Sequence, residues 1–447
     1  MKRKAVHPLL LLLCLTCIFA LSTFAIELSG NFIDCGENGV GILEEPAANF
    51  PTDVQQLYGN YFDDKKTKSL EHTIRLRIVR NLGKDLVNAT SGMKVDKRRS
   101  WSMMLPAVTW CNGRWHVIVR LHDQKHSEWK DSSFVLTAAY DSAFRPVAEP
   151  RILGHTTFFN GVQYTGLEDA RLMVVDGRLK MFGTAFLPTK KRKTLARIAM
   201  IDAVTSQTTI LEVPGGKLNE REKNWTPFIK NGSLHILYSL HPVVELKCAM
   251  DGRCEVVYHE LYCHTPPCKN ALDKPSLGTA GGGSLLRGGC PMIPWGSDGH
   301  FFGFAHTTLR EKDRRAFGLQ DVKARASYRA HLFIYNSVAG QVVYISNPIN
   351  FQRPLKNVVH ADREDVIEYP SNFVLLPDGS VLLGLLHEDV SPFIIRLDGF
   401  VEVLNQVVGM DKSRSQDYAA FNASGRPNLL HHTQRLFKEY MDRQKPT

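Results

Sequence analysis

Two short stretches carry the residues best suited to chemistry. They are Gly166-Leu167-Glu168-Asp169-Ala170-Arg171 and, in the next repeat, Glu222-Lys223-Asn224-Trp225-Thr226-Pro227-Phe228. A carboxylic acid can protonate a leaving group, and a nearby arginine and lysine can hold an anion. The combination points to chemistry on a sugar bond with a phosphate-bearing partner. On a regular strand Glu168 and Asp169 face opposite sides, and Arg171 shares the side of Asp169. Without a turn, at most one of the two carboxylates reaches a common cavity. A carboxyl beside an arginine usually stays ionised, so an acid here needs burial or a proton path through the substrate. A structural ion pair is the competing reading. Lys223 is a compact point charge suited to phosphate oxygens, although most lysines simply face solvent. His241, His306 and Asp389 stand at strand ends or turns, where structural roles compete with binding.

Those residues must be held by short strands. Five hairpins of one design recur between positions 107 and 386. Ala107–Trp110 and Trp115–Arg120 flank Asn112-Gly113; Arg171–Val175 and Leu179–Ala185 flank Asp176-Gly177; Phe228–Lys230 and Leu234–Ser239 flank Asn231-Gly232. Ser284–Leu286 and Phe301–His306 flank Ser297-Asp298-Gly299, and Asn372–Leu376 and Val381–Leu386 flank Pro377-Asp378-Gly379. Asn-Gly and Asp-Gly between apolar runs are hairpin turns. Their repetition predicts an all-β chain folded as a five-bladed β-propeller, behind an N-terminal signal anchor and stem. A β-sandwich or a β-rich multidomain chain is the alternative. Second strands that end in Arg120, His241, His306 and His387 would bring those side chains to one mouth. The expected partition is 1–28 signal segment, 29–99 stem and lead-in, 100–400 propeller and 401–447 tail with a short helix near 429–441.

The chain has 447 residues, ample for a large core, and a formal charge of +10 that favours anionic partners. A solvated basic surface with no partner is the plainer reading of the charge. Lys2, Arg3 and Lys4 precede an apolar run from Leu9 to Leu28. That is a secretory targeting segment. It is close to the ~20 residues that span a bilayer, and its flanking charges would keep the N-terminus cytosolic. A single-pass type II protein of the Golgi or endoplasmic reticulum lumen is expected; cleavage after Thr23-Phe24-Ala25 would make it secreted. In that compartment Cys248 and Cys254, around the turn Asp251-Gly252, are set to form a disulfide, as are Cys263 and Cys268; a zinc site from this cluster with His264 is the alternative. The seven cysteines beyond Cys14 and Cys17 leave one unpaired. Asn88, Asn231 and Asn422 are glycosylation acceptors; Asn224 lies in the proposed site and is expected bare. No P-loop, dinucleotide fingerprint, nucleophile elbow, His-Glu-x-x-His or Asp-x-Asp motif occurs, and no cofactor or metal is expected.

The motifs resemble a known family. Gly166–Arg171 is similar to the Glu-Asp-Pro-Arg motif of the β-mannoside phosphorylases of glycoside hydrolase family one hundred and thirty, and to the related propeller mannosyltransferases of trypanosomatids. Pro106 through Arg120 resembles the family's first-blade pattern, and Leu195–Ala199 the strand whose arginine contacts phosphate, here Arg197. Lys223-Asn224 before Pro227-Phe228 resembles the lysine motif. Tyr238–Pro242 resembles the Leu-His-Arg-Pro segment, Gly281–Ser284 with Phe302–His306 the glycine-rich strand and its histidine, and Leu386–Asp389 the late aspartate segment. The matches keep family order from about Ser100 to Asp398. The resemblance implies a five-bladed propeller with Asp169 as the acid. It makes Arg171, Arg197, Lys223 and His306 anion or sugar contacts, and Arg120, Glu168, Asn224, Tyr238, His241 and Asp389 further substrate contacts. Ala170 replaces the family proline, and the cysteine-rich insert from Cys248 to Cys290 is foreign to the pattern. The expected activity is transfer of a hexose, foremost mannose, from a nucleotide-sugar (GDP-mannose favoured) or a sugar phosphate to a glycan acceptor. No nucleic acid is expected as partner; the membrane is met through the N-terminal segment. A mannoside phosphorylase or hydrolase and a non-catalytic glycan-binding propeller are the alternatives.

Overall fold

The computed structural model describes residues 75–86, 101–123, 133–153, 167–188, 194–215, 218–240, 243–259, 286–296, 299–310, 326–345, 366–387 and 391–401, with a few short strands and single positions besides. The targeting segment, His241, Asp389, Cys263, Cys268, Asn88, Asn422 and the expected C-terminal helix lie outside the described residues. No helix among the described residues is long and apolar enough to cross a membrane.

The chain is a succession of strands. β1 (Gln56–Leu57) and β2 (Arg75–Asn81) precede a first blade of β3 (Trp101–Cys111), β4 (Arg114–Asp123), β5 (Ser133–Tyr140) and β6 (Arg151–Leu153). A small hairpin, β7 (Thr156–Phe159) and β8 (Val162–Thr165), leads to the second blade: β9 (Leu167–Val175), β10 (Arg178–Pro188), β11 (Thr194–Asp202) and β12 (Thr208–Ile210). The third holds β13 (Thr226–Lys230), β14 (Ser233–Leu240), β15 (Val243–Cys248) and β16 (Cys254–His259). The fourth holds β17 (Leu286–Arg287), β18 (Ile293–Pro294), β19 (His300–Arg310), β20 (Ala326–Asn336) and β21 (Gln341–Ile345). The fifth holds β22 (Val366–Leu375), β23 (Val381–His387) and β24 (Ser391–Asp398).

Four of the expected hairpins are the opening strands of their blades; in the fourth blade both β17 and β18 pair with β19, and Ser284, Leu285, Ser297 and Asp298 of the expected hairpin lie outside the described residues. The all-β propeller is borne out. Three of their turns have both central residues at positive φ: Asn112 and Gly113, Asp176 and Gly177, Asn231 and Gly232. That is the type I′ geometry whose twist matches the flanking strands. Cys248 and Cys254 form the expected disulfide across the β15–β16 turn, Cys111 is also disulfide-bonded, and Cys290 is a buried free thiol.

One boundary differs from the expectation. Residues 75–81 belong to the propeller rather than to a stem, because β2 pairs antiparallel with β24 as the outer strand of the last blade. The N-terminal lead-in thereby closes the ring, with an Arg77–Asp398 ion pair of 2.9 Å across the seam.

The core lies between blades. Ala107, Ile118 and Val135 of the first blade pack on Leu167, Leu172 and Met181 of the second. Phe302, Phe304 and Leu332 of the fourth meet Phe373, Leu383 and Phe393 of the fifth. Val108, Val117 and Leu136 meet Val374, Leu382 and Ile394, which joins the fifth blade back to the first. Inner strands are therefore covered on both faces; every residue of β23 is buried. This is why the sequence shows apolar runs there rather than alternation.

Three opening strands break their register. β3 carries an extra residue at Leu105-Pro106, β9 at Asp169-Ala170, and β22 at Ser371. A bulge turns side chains off the regular alternation, and bulges cluster where a site must be built. The bulges of β3 and β22 interlock, since the Ser371 hydroxyl donates to the Pro106 carbonyl. Beside them Asn372 links three blades: its amide donates to the Val108 carbonyl at 2.8 Å, and its Oδ1 accepts from the Leu172 N–H at 2.9 Å.

Candidate active site

The β9 bulge builds the site. Asp169 has φ +57, a left-handed conformation rare for a residue with a side chain. The bulge removes the alternation expected of Glu168 and Asp169, so both carboxylates reach the same guanidinium. Arg120 Nη1, on β4 of the first blade, is 2.9 Å from Asp169 Oδ1 and 3.3 Å from Glu168 Oε1. Its Nε donates to Ser133 Oγ at 2.8 Å, which fixes the guanidinium plane. Arg120 is buried, while the two acids keep some access to solvent. Opposite the bulge sits Gly183; a Cβ there would come within 2.9 Å of the Glu168 carbonyl, so the strand pair closes only over glycine.

Lys223, just before β13, brings the third blade in. Its Nζ is 2.5 Å from Glu168 Oε2, a charge contact whose angle is too bent for an aligned hydrogen bond. The same ammonium lies 5.9 Å from the Phe186 ring centroid. Glu168 thus bridges two cations, whereas Asp169 Oδ2 has no partner among the described residues. One oxygen of Asp169 is anchored and the other is available to move a proton.

Arg171 lies on the inner side. Its Nη1 donates to the Asp169 carbonyl and its Nη2 to Tyr369 Oη at 2.7 Å. Tyr369, on β22, in turn donates to Asn224 Oδ1 at 2.8 Å. Asn224 also has positive φ, +62. Gly289 leaves room for this crossing: its φ is +126, and a Cβ would stand 2.9 Å from Arg171 Nη2 and 3.3 Å from the Tyr369 hydroxyl. His306 packs its ring 4.3 Å from that of Tyr369 and 5.9 Å from that of Tyr328. Burial holds the His306 imidazole well below its ordinary value, and the charges of Arg287 and Arg171 add to this. That shift favours the uncharged imidazole, whose ring packs on Tyr369.

The remaining sequence candidates sit differently. Arg197 Nη1 donates to the Ala196 carbonyl at 2.9 Å and the Asn219 carbonyl at 2.8 Å, so part of its fork holds the loop before Lys223. Tyr238 is buried, and its hydroxyl donates to Glu222 Oε1 at 3.1 Å. Glu222 also accepts from Trp225 Nε1 at 3.1 Å and from the Asn219 N–H at 2.5 Å. Burial raises the Glu222 carboxyl above its ordinary value, against those hydrogen bonds and the Arg197 charge. Tyr238, Glu222 and Arg197 thus form a support beneath Lys223 and Asn224. Tyr369, Ser133 and Asn372 were not singled out by the sequence. Each is an ordinary strand residue by local pattern, and only its position against another blade gives it a role.

No family model matches the sequence. Among known proteins, the chain is 30% identical over 147 residues to Beta-mannosyltransferase 2 of Komagataella phaffii. That alignment covers 31% of this chain and 20% of the yeast protein, so the match spans about a fifth of its relative's length. Among solved structures, a GDP-Man-dependent mannosyltransferase from Leishmania mexicana aligns with TM-score 0.43 and 14% identity, over 70% of this chain and 93% of that one. A glycosyl hydrolase from Bacteroides ovatus aligns with TM-score 0.44 and 12% identity, over 66% of this chain and 84% of that one. Over about a third of its length the chain is thus similar in sequence to a yeast β-mannosyltransferase.

Proposed function

We propose that the protein is a mannosyltransferase that moves a mannosyl group from a nucleotide-sugar, GDP-mannose first, to a glycan acceptor. The observation that carries this is the Asp169 carboxylate, with one oxygen anchored on Arg120 and the other without a partner among the described residues, next to Glu168, which holds Lys223, and with Arg171 on the Asp169 backbone carbonyl. A nucleoside diphosphate leaves as a stable anion and needs charge stabilisation rather than a proton. The acceptor hydroxyl must lose its proton as its oxygen bonds to the anomeric carbon. Asp169 Oδ2 takes that proton, while the bond between the anomeric carbon and the diphosphate oxygen breaks and its electron pair stays on that oxygen. In the reverse direction the same carboxyl is the acid.

Hydrolysis by a paired-carboxylate mechanism needs a second carboxylate free to act as nucleophile or base. Among the described residues both oxygens of Glu222 are engaged by Asn219, Tyr238 and Trp225, and both of Glu168 by Arg120 and Lys223, while Asp389 lies outside the described residues. The engagement of these two acids supports transfer. The N-terminal targeting segment adds a lumenal, membrane-tethered location, where an imported nucleotide-sugar is the natural donor. Incubation with GDP-mannose, other nucleotide-sugars or mannose-1-phosphate plus mannoside acceptors, read by mass spectrometry, tests the reading. Extension from GDP-mannose supports it. Extension from mannose-1-phosphate alone makes the protein a phosphorylase, and no product from folded protein leaves the hydrolase and the glycan-binding propeller.

A further inference from the structure

Arg171 is 3% exposed, yet among the described residues no carboxylate pairs with it. A guanidinium has donors only, so the contact with Tyr369 has one possible direction: Arg171 Nη2 donates and the phenol oxygen accepts. The phenol has a single proton, which must go elsewhere. Its other polar partner is Asn224, at 2.8 Å. The Asn224 side that faces Tyr369 must therefore be the carbonyl, because an amide NH₂ there would leave three donors on one oxygen and no acceptor for the phenol proton. The charge on Arg171 thus settles which way the amide is turned, a choice that atomic positions alone rarely decide. Burial raises the Tyr369 phenol above its ordinary value, so its proton stays in place. With Oδ1 committed, Asn224 Nδ2 has no partner among the described residues, on a half-buried residue adjacent to Lys223.

We infer that Tyr369 is a positioning residue that locks the Asn224 amide with its Nδ2 outward as a donor, so that the substrate group met there is a hydrogen-bond acceptor: a sugar hydroxyl oxygen or a phosphate oxygen. The transfer reading supplies only the choice of probes. Three blades converge to set one hydrogen atom: Arg171 from the second, Asn224 ahead of the third and Tyr369 from the fifth.

Asn224→Asp separates a donor from a structural link. It is isosteric, still accepts the Tyr369 proton and adds a negative charge toward Arg171, but it replaces the outward N–H with an oxygen. Tyr369→Phe keeps the ring packed on His306 and frees the Asn224 amide to turn. Binding of GDP-mannose, mannose and inorganic phosphate would be measured by titration calorimetry beside the melting temperature of each variant. The expected result is a loss of about tenfold or more in affinity for Asn224→Asp at an unchanged or raised melting temperature. Tyr369→Phe should lose less affinity, because a freed amide still presents its donor part of the time. Loss on mannose names the sugar oxygen, and loss on phosphate and GDP-mannose alone names the phosphate oxygen. Wild-type affinity of Asn224→Asp for every probe overturns the proposal, as does a wild type that binds none of them. A wild type that binds a probe but does not turn over GDP-mannose removes the transferase reading and leaves this one standing.

Discussion

Arg120 Nη1 holds Asp169 Oδ1 at 2.9 Å from the neighbouring blade, and the left-handed backbone of Asp169 makes that contact possible. The pairing fixes one carboxylate oxygen and leaves its twin free. Asp169→Asn preserves shape and size but cannot carry the proton. Turnover should fall about 10²–10⁴-fold with melting temperature and far-ultraviolet circular dichroism unchanged. Near-normal turnover in this variant removes Asp169 from the mechanism.

Gly289 tests how tightly the inner side is packed. Gly289→Ala forces a side chain onto φ +126 and into Arg171 Nη2. A loss of stability of about 1–3 kcal/mol is expected from the backbone alone. Turnover should drop as well, because Arg171 must move. Urea unfolding and kinetics on the same preparation give both numbers, and an unaltered midpoint means the loop relaxes freely.

Asn372 should matter for the ring rather than for the reaction. Asn372→Ala strands the Leu172 N–H and the Val108 carbonyl in a buried place. Each orphaned group costs about 1–3 kcal/mol. The unfolding midpoint should fall by that measure while KM at a permissive temperature stays put. A KM that rises with no loss of stability would show that Asn372 serves the substrate instead.

Glu245 sets part of the acid limit. It is fully buried, with Oε1 2.7 Å from His235 Nδ1 and 3.1 Å from Lys230 Nζ, and Oε2 accepting from Tyr335 at 2.5 Å. Burial pushes its carboxyl up, but the His235 hydrogen bond, the Lys230 charge and the Tyr335 hydrogen bond hold it net below its ordinary 4.5. A group held lower in the folded state stabilises above its unfolded value, and that stability is lost as pH falls through the folded value. Wild-type stability should thus decline below about pH 4.5. Glu245→Gln should be less stable at pH 7 by about 3–5 kcal/mol, the cost of breaking a buried pair, and should show a flatter acid slope. Equal stability of the two proteins at pH 7 would contradict this account.

Much of the fold was legible because it is written locally. Asn112-Gly113, Asp176-Gly177 and Asn231-Gly232 dictate turns by backbone sterics, and the apolar runs beside them dictate strands buried on both faces. The Arg75-Leu76-Arg77-Ile78 alternation was legible in principle, yet its place in the last blade depends on β24, more than three hundred positions away.

The β hairpins, their number, and the recurrence of an acid, an arginine and a lysine on neighbouring repeats are readable from the chain alone. Which atoms meet depends on how the blades close on one another. Strand alternation would have parted Glu168 from Asp169, and the bulge opposite Gly183 brings both to Arg120. Tyr369 has no local mark of function; it gains one by meeting Arg171 across 198 positions and Asn224 across 145. The reason is physical. Turn and strand preferences are settled by a residue and its near neighbours, whereas the direction of a buried hydrogen bond is settled by whichever donors and acceptors the closed ring of blades brings within reach.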